Sequence, residues 1–194
     1  MSTPIEPPAI EWIVERLAAS ALSSPIPPGT VPAAVLVPLY RDGPDWSLLF
    51  IRRTDRVSTH KGQIAFPGGR RDPEDADWCA CALRETREEV GIAAEEIRIL
   101  GELPFVTTTH TGFTIRAVVG LLPGRFDPRP NPEEVAELLS VPFAFFFDPS
   151  ACTITSTWDQ GRERHSYHYR YGDNLIWGAT AAILHQLISL LAPG

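Results

Sequence analysis

Apolar residues recur along this chain at two different spacings, and the spacings divide it into elements. Ile10, Ile13, Leu17 and Leu22 fall at helical intervals, predicting an amphipathic helix over residues 9–22. A proline-rich connector covers 23–32. The apolar run 33–40 predicts a buried strand, 42–45 a turn and 46–52 a returning strand. Further strands are predicted over 97–106 and 113–122, joined by the threonine-rich stretch 107–112, and a short helix over 132–139. Residues 152–157 and 165–171 read as an antiparallel pair, since His165, Tyr167, Tyr169 and Tyr171 alternate with Ser166, His168 and Arg170 at the strand period of two. A last helix is predicted over 175–191, with Ile176, Ala179, Ile183 and Leu187 on one side. No internal repeat is evident. Strands interspersed with helices imply an α/β fold, a sheet between helical layers, in one domain spanning residues 1–194.

One predicted helix, 73–90, carries unusual charge. Asp72 is placed to cap it, Pro73 takes its first position, Asp75 falls in the first turn and Gly91 stands at its stop. Each helical residue advances about 100° around the axis, so Glu85, Glu88 and Glu89 share one narrow face. Cys79, Leu83, Thr86 and Val90 form a small or apolar stripe pointing largely the other way. Like charges so crowded destabilise a helix unless something positive offsets them. A hard divalent cation with oxygen ligands would do so; a solvated face with local pairs to Arg84 or Arg87 is the plainer alternative. Upstream lies Phe66-Pro67-Gly68-Gly69. Paired glycines let a backbone carbonyl or amide approach a ligand closely, because no Cβ intervenes.

Residues 69–92 resemble the Nudix box, Gx5Ex7REUxEExGU with U aliphatic. Arg84, Glu85, Glu88, Glu89, Gly91 and Ile92 match it, and Phe-Pro-Gly-Gly is a common lead-in. The stretch from Gly69 to Arg84 is one residue longer than the pattern, so counting back from Arg84 puts Ala76 in place of the first Glu. Glu74, Asp75 and Asp77 are the candidates for that role. Thr86 replaces the usual aliphatic residue. The resemblance implies a Nudix-type α/β/α sandwich with a mixed β-sheet. It also implies Mg²⁺ or Mn²⁺ as cofactor, with Glu85, Glu88, Glu89 and the Gly68 carbonyl as metal ligands. Arg84 is expected to orient a glutamate. For the general base, Glu85 within the box is preferred, with Glu134 entering from a later segment as the alternative.

A second likeness narrows the branch. The Nudix enzymes that hydrolyse coenzyme A carry an upstream signature ending Arg-x3-Gly-x3-Phe-Pro-Gly-Gly, and residues 62–69 are similar to its end. Ser58 stands where that signature has Arg, and Arg56 lies two positions earlier. The stretch 131–137, followed by Val141-Pro142, and the late segment 176–181 resemble the same branch. The implied reaction is metal-dependent cleavage of the coenzyme A diphosphate to 3′,5′-ADP and 4′-phosphopantetheine, with oxidised or acylated forms as further candidate substrates. The alternatives are another Nudix diphosphatase acting on ADP-ribose, a dinucleotide or a nucleoside triphosphate, and a nonhydrolytic nucleotide-binding module. Retention of all three glutamates argues against the last. Coenzyme A carries an additional 3′-phosphate, which calls for a basic partner. Arg52, Arg53, Arg56, Lys61, Arg70 and Arg71 lie close by in sequence, and Phe113 with the loop 107–112 is placed to line the cleft.

Composition adds exclusions. The formal net charge is −7, against a nonspecific grip on nucleic acid through a general basic surface. No apolar run is long enough to span a membrane. The start lacks the basic and apolar regions of a secretory signal, so a cytoplasmic location is expected. Cys79, Cys81 and Cys152 lack the spacing of a zinc site or redox pair and are expected to serve in packing.

Overall fold

The computed structural model describes residues 9–20, 26–55, 62–108, 111–124, 126–159 and 161–192. The central strands are β1 (Val31–Asp42) and β2 (Asp45–Arg53), an antiparallel hairpin whose side chains are buried over most of their length. Burial on both faces explains why they read as continuous apolar runs rather than alternating ones. The short β3 (Ile64–Ala65) adds to β2, and β4 (Gly68–Arg70) pairs antiparallel with β1. Beyond β1 lie β5 (Arg98–Glu102), β6 (Val106–Thr107) and β7 (Phe113–Leu121), and β7 runs parallel to β1 from Val31↔Phe113 to Leu39↔Leu121. The strand predicted over 97–106 is thus two short ones, both paired with β7.

The mixed sheet is sandwiched. Helix α1 (Ile10–Ser20) buries Ile13 and Leu17. It lies on one face with α3 (Gly178–Leu191), over Val37, Leu39, Leu48, Phe50 and Val119. Helix α2 (Trp78–Val90) covers the other face, where Cys81, Ala82 and Val90 meet Ala34, Leu36, Leu49, Ile51 and Val118. Leu48 and Phe50 point to one layer, Leu49 and Ile51 to the other, as the strand period requires. No helix among the described residues is long and apolar enough to cross a membrane.

Several predicted boundaries are corrected. Helix α2 begins at Trp78, capped by Asp77, whose side chain accepts from the Ala80 N–H at 2.7 Å; Asp72 and Pro73 sit in the preceding turn. The helix predicted over 132–139 is largely strand: β8 (Val135–Pro142) pairs antiparallel with β2. A single turn at its start, with Glu134 and Val135 N–H groups donating to the Asn131 carbonyl, is all that is helical. The spacing of Val135, Leu138 and Leu139 suits a helix, but an open edge of β2 offers the backbone a full ladder of partners, and tertiary pairing wins. Leu175 and Ile176 belong to β11 (Asn174–Ile176), so the last helix starts at Gly178. With β9 (Cys152–Asp159) and β10 (Arg162–Tyr171), β11 forms a separate three-stranded antiparallel sheet. Leu22 lies outside the described residues.

Candidate active site

The glutamates of α2 face the Gly-Gly strand, and two close approaches explain why that strand needs glycine. A Cβ on Gly69 would lie 2.5 Å from the Glu85 carboxylate; a Cβ on Gly68 would collide with the Ala34 carbonyl oxygen of β1. Glu85 therefore lodges its carboxylate against bare backbone at Gly69, while the absence of a side chain on Gly68 lets β4 lie close on β1 and leaves its N–H to Glu89, one turn on. The Gly68 N–H donates to Glu89 Oε2 at 2.9 Å. On the other oxygen, Arg53 Nη1 approaches Glu89 Oε1 at 3.4 Å.

Burial differs sharply among the three acids. The side chain of Glu89 is 2% exposed, that of Glu85 16% and that of Glu88 49%. Glu89 therefore lies on the packed face with Cys81, Ala82, Thr86 and Val90, whereas Cys79 and Leu83 are only half-buried. The clean division expected between an acidic and an apolar face does not hold. Burial pushes the Glu89 carboxyl up to about 7, although the Gly68 N–H and Arg53 pull the other way. Burial also raises Glu85, against the pull of Arg84. Glu134, half-buried in the turn before β8, adds its charge to both, so a distant part of the sequence reaches the same site.

Arg84 organises the rim. Its Nη1 donates to Glu85 Oε1 at 2.8 Å and to Glu88 Oε2 at 3.2 Å, while Nη2 reaches the Arg70 carbonyl at 3.0 Å. The other edge of the guanidinium grips Asp75, which is only 7% exposed. Both roles considered for Arg84, orienting a glutamate and pairing with Glu88, thus occur together. Asp75, among the three candidates for the missing first Glu, is the one that engages it. Counting forward from Gly69 by the family spacing lands on Asp75, so the extra residue falls between Asp75 and Arg84.

The basic candidates separate. Arg53 joins Glu89. Arg52 is held by Glu137 at 2.9 Å and Asn174 at 2.5 Å, tying β2 to β8 and to the small sheet. Arg70 is exposed on β4, beside the glutamate helix. Arg71 stacks over the Trp78 ring at 5.0 Å and donates to the Asp75 carbonyl. Arg56 and Lys61, with Ser58, lie outside the described residues. Phe113 opens β7, half-buried, with its N–H bonded to Thr108 Oγ1. Sequence reading passed over Arg116, a buried cation within the apolar strand β7. It aligns with Gly69 through Ala34, donates to the Leu103 carbonyl, approaches Glu102 and packs 3.6 Å over the Phe105 ring. A lone arginine in an otherwise apolar strand was its available signal.

Among the described residues no three acidic, histidine or cysteine side chains converge into a closed metal cage. Arg84 and Arg53 occupy the carboxylates instead. The donor set nevertheless suits a hard cation: carboxylate oxygens grouped on one helix, two of them held against glycine backbone, and a further carboxylate nearby. Mg²⁺ keeps several waters and needs only a few protein oxygens, so an open cluster fits it.

A glutamate helix seated on a Gly-Gly strand inside an α/β/α sandwich defines the class, and sequence comparison agrees. The chain belongs to the Nudix family: the NUDIX domain matches residues 30–170. It is 39% identical over 155 residues to the uncharacterized Nudix hydrolase NudL of Photorhabdus laumondii, spanning 80% of this chain and 82% of that protein. The protein of the same name from Pectobacterium atrosepticum is 39% identical over 160 residues, 80% of each. Among solved structures, a MutT/nudix family protein from Enterococcus faecalis aligns with a TM-score of 0.52 at 16% identity, over 87% of this chain and 63% of that one, a likeness of fold.

Proposed function

We propose that this Nudix hydrolase cleaves the diphosphate bond of coenzyme A, giving 3′,5′-ADP and 4′-phosphopantetheine, with Mg²⁺ or Mn²⁺ as cofactor. The observation that carries diphosphate chemistry is the placement of Glu85 and Glu89 against Gly69 and Gly68, with Glu134 close by. Glu85, Glu88, Glu89 and the Gly68 carbonyl would hold the ion. When bound, it neutralises diphosphate oxygens and acidifies a coordinated water.

The protein's own groups do the rest. Glu85 takes the proton of the attacking water as general base, since burial raises its proton affinity and leaves it partly open to solvent. Water oxygen bonds to one phosphorus, the bridging P–O bond breaks, and its electron pair leaves on the second phosphate. Glu134, near enough for its charge to act on Glu85 and Glu89, adds a further carboxylate to the cluster. Arg84 positions Glu85 and Glu88, and Asp75 positions Arg84. Arg53 balances Glu89 before the ion enters.

The choice of coenzyme A rests on residues 62–69 and on the likeness along 131–137 and 176–181. Segment 62–69 forms the backbone from β3 to β4 that delivers the Gly68 N–H to Glu89. Arg70, Arg53, Arg56 and Lys61 are the cations assigned to the phosphates, and Phe113 to the cleft wall. A substrate panel with Mg²⁺ and with Mn²⁺, followed by product identification, tests this. Coenzyme A should turn over faster than dephospho-coenzyme A and ADP-ribose. Coenzyme A inert while ADP-ribose is consumed would overturn the substrate assignment and leave the diphosphatase standing.

A further inference from the structure

The small sheet ends in an open edge. Strand β9 pairs with β10 at eight successive positions without a register shift, and among the described residues no other strand lies along its far side. Its residues 153–158 are all exposed and all uncharged, and Ile154 and Trp158 are 53% and 75% exposed. Edge strands are ordinarily protected by a charge, a proline or a bulge, because unpaired N–H and C=O groups template another strand. Residues 153–158 have none of these.

The register fixes which groups are free. Asp159 and Arg162 close the hairpin across two residues, so they form a hydrogen-bonded pair, as do Thr157:Arg164, Thr155:Ser166 and Thr153:His168 by alternation. The backbone groups of Ile154, Ser156 and Trp158 therefore point along the open edge. Their side chains share one face with Tyr167, His165 and Glu163, the residues opposite them on β10. On that face Ser156 Oγ lies 2.9 Å from His165 Nδ1.

We propose that this edge pairs antiparallel with the same edge of a second copy of the chain, about a twofold axis at Ser156, joining two three-stranded sheets into one of six. In that register Ile154 lies opposite Trp158 of the partner subunit, and Trp158 opposite Ile154 of the partner subunit. The two large exposed apolar residues of β9 are four positions apart, the spacing at which each covers the other. The outward N–H and C=O groups of Ile154, Ser156 and Trp158 all find partners. No like charges meet, because Asp159 falls opposite Thr153 of the partner subunit. A centre at Thr155 would set Ile154 against serine and Trp158 against the small, half-buried Cys152 of the partner subunit, so the Ser156 register, which alone of the two matches both large exposed apolar residues, is selected. An interface built on one strand edge is small, and the dimer is expected to dissociate on dilution.

The full-length chain, in sedimentation velocity at about 100 µM, should give twice the 21.4 kDa chain mass and return to monomer on dilution. Ile154→Lys and Trp158→Lys change exposed side chains, so far-UV circular dichroism should be unaltered while dimer affinity falls at least about tenfold. Ser156→Pro removes an outward N–H and should do the same. Ser156→Cys should form an interchain disulfide on mild oxidation faster than Thr157→Cys, because only position 156 meets itself across the axis, at about 5.5 Å between Cα atoms. A wild-type chain monomeric at that concentration overturns the proposal. A dimer indifferent to both lysine variants, or equal cross-linking at 156 and 157, does so too.

Discussion

Arg84 and Asp75 form a two-point ion pair beneath the rim of the glutamate cluster: Nε meets Oδ1 at 3.0 Å and Nη2 meets Oδ2 at 2.9 Å. A planar guanidinium held at both nitrogens has one orientation left, which aims its remaining Nη1 at Glu85 and Glu88. The hydrogen bonds from Arg84 outweigh the cost of burial and hold the Asp75 carboxyl down to about 2. An acid whose folded pKa is depressed stabilises the fold above its unfolded value, near 4, and loses that contribution as pH falls through 2. Asp75→Asn should therefore cost about 2 kcal/mol at neutral pH, and the gap to wild type should close between roughly pH 4 and 2. Denaturant unfolding of both proteins across that range measures it. A gap unchanged by pH would mean that Asp75 matters for packing rather than for charge.

That pair also shows how far the chain could be read unaided. The Arg-Glu-x-x-Glu-Glu core and its helix were legible because their spacing is local. Asp75 was ambiguous because the extra residue lies in an irregular turn, and counting from opposite ends gives neighbouring positions. Buried strands β1 and β2 stood out as apolar runs. Strand β8 did not, because its identity comes from the edge of β2 rather than from its own pattern. Glu89 is expected on the charged face of the helix, opposite the one to be buried, yet it is buried because α2 presses it onto Gly68. Nothing local in the sequence announces that contact.

Gly69→Ala tests the contact between strand and helix directly. The new methyl would stand 2.5 Å from the Glu85 carboxylate, the mobile end of a side chain rather than backbone. The fold can accommodate it by turning Glu85 aside, so stability should fall by no more than about 1 kcal/mol. The catalytic geometry cannot, and a displacement of about 1 Å can cost on the order of 10²-fold. Thermal unfolding beside steady-state turnover separates the two effects. Unimpaired turnover would show that Glu85 need not sit where it does.

Arg52 and Arg70 should divide the labour that sequence assigned to them jointly. Arg52 is engaged by Glu137 and Asn174 and joins three strands, so Arg52→Ala should lower the melting temperature. Its effect on KM should be equal for coenzyme A and dephospho-coenzyme A. Arg70 is exposed, and its carbonyl accepts from Arg84, so its backbone borders the cluster; a guanidinium on that segment would take a second phosphate in a charge-assisted pair. Arg70→Ala should raise KM for coenzyme A by about tenfold while changing that for dephospho-coenzyme A little. Equal changes for both substrates would remove Arg70 from recognition of the 3′-phosphate.

Glu89→Gln isolates charge from shape at the most buried acid of the site. The amide oxygen can still accept from the Gly68 N–H, as Glu89 Oε2 does at 2.9 Å, and the side-chain volume is unchanged. A buried negative charge is removed, and only the 3.4 Å approach of the largely buried Arg53 is lost with it. The variant should therefore fold and melt close to wild type in metal-free buffer. A neutral amide is a poorer ligand for a hard divalent ion than a carboxylate. Turnover in saturating Mg²⁺ should fall by at least about 10²-fold, and Mn²⁺ binding followed by electron paramagnetic resonance should weaken in parallel. Loss of turnover with Mn²⁺ affinity intact would move Glu89 from holding the ion to positioning Arg53. Full activity would end its claim to either role.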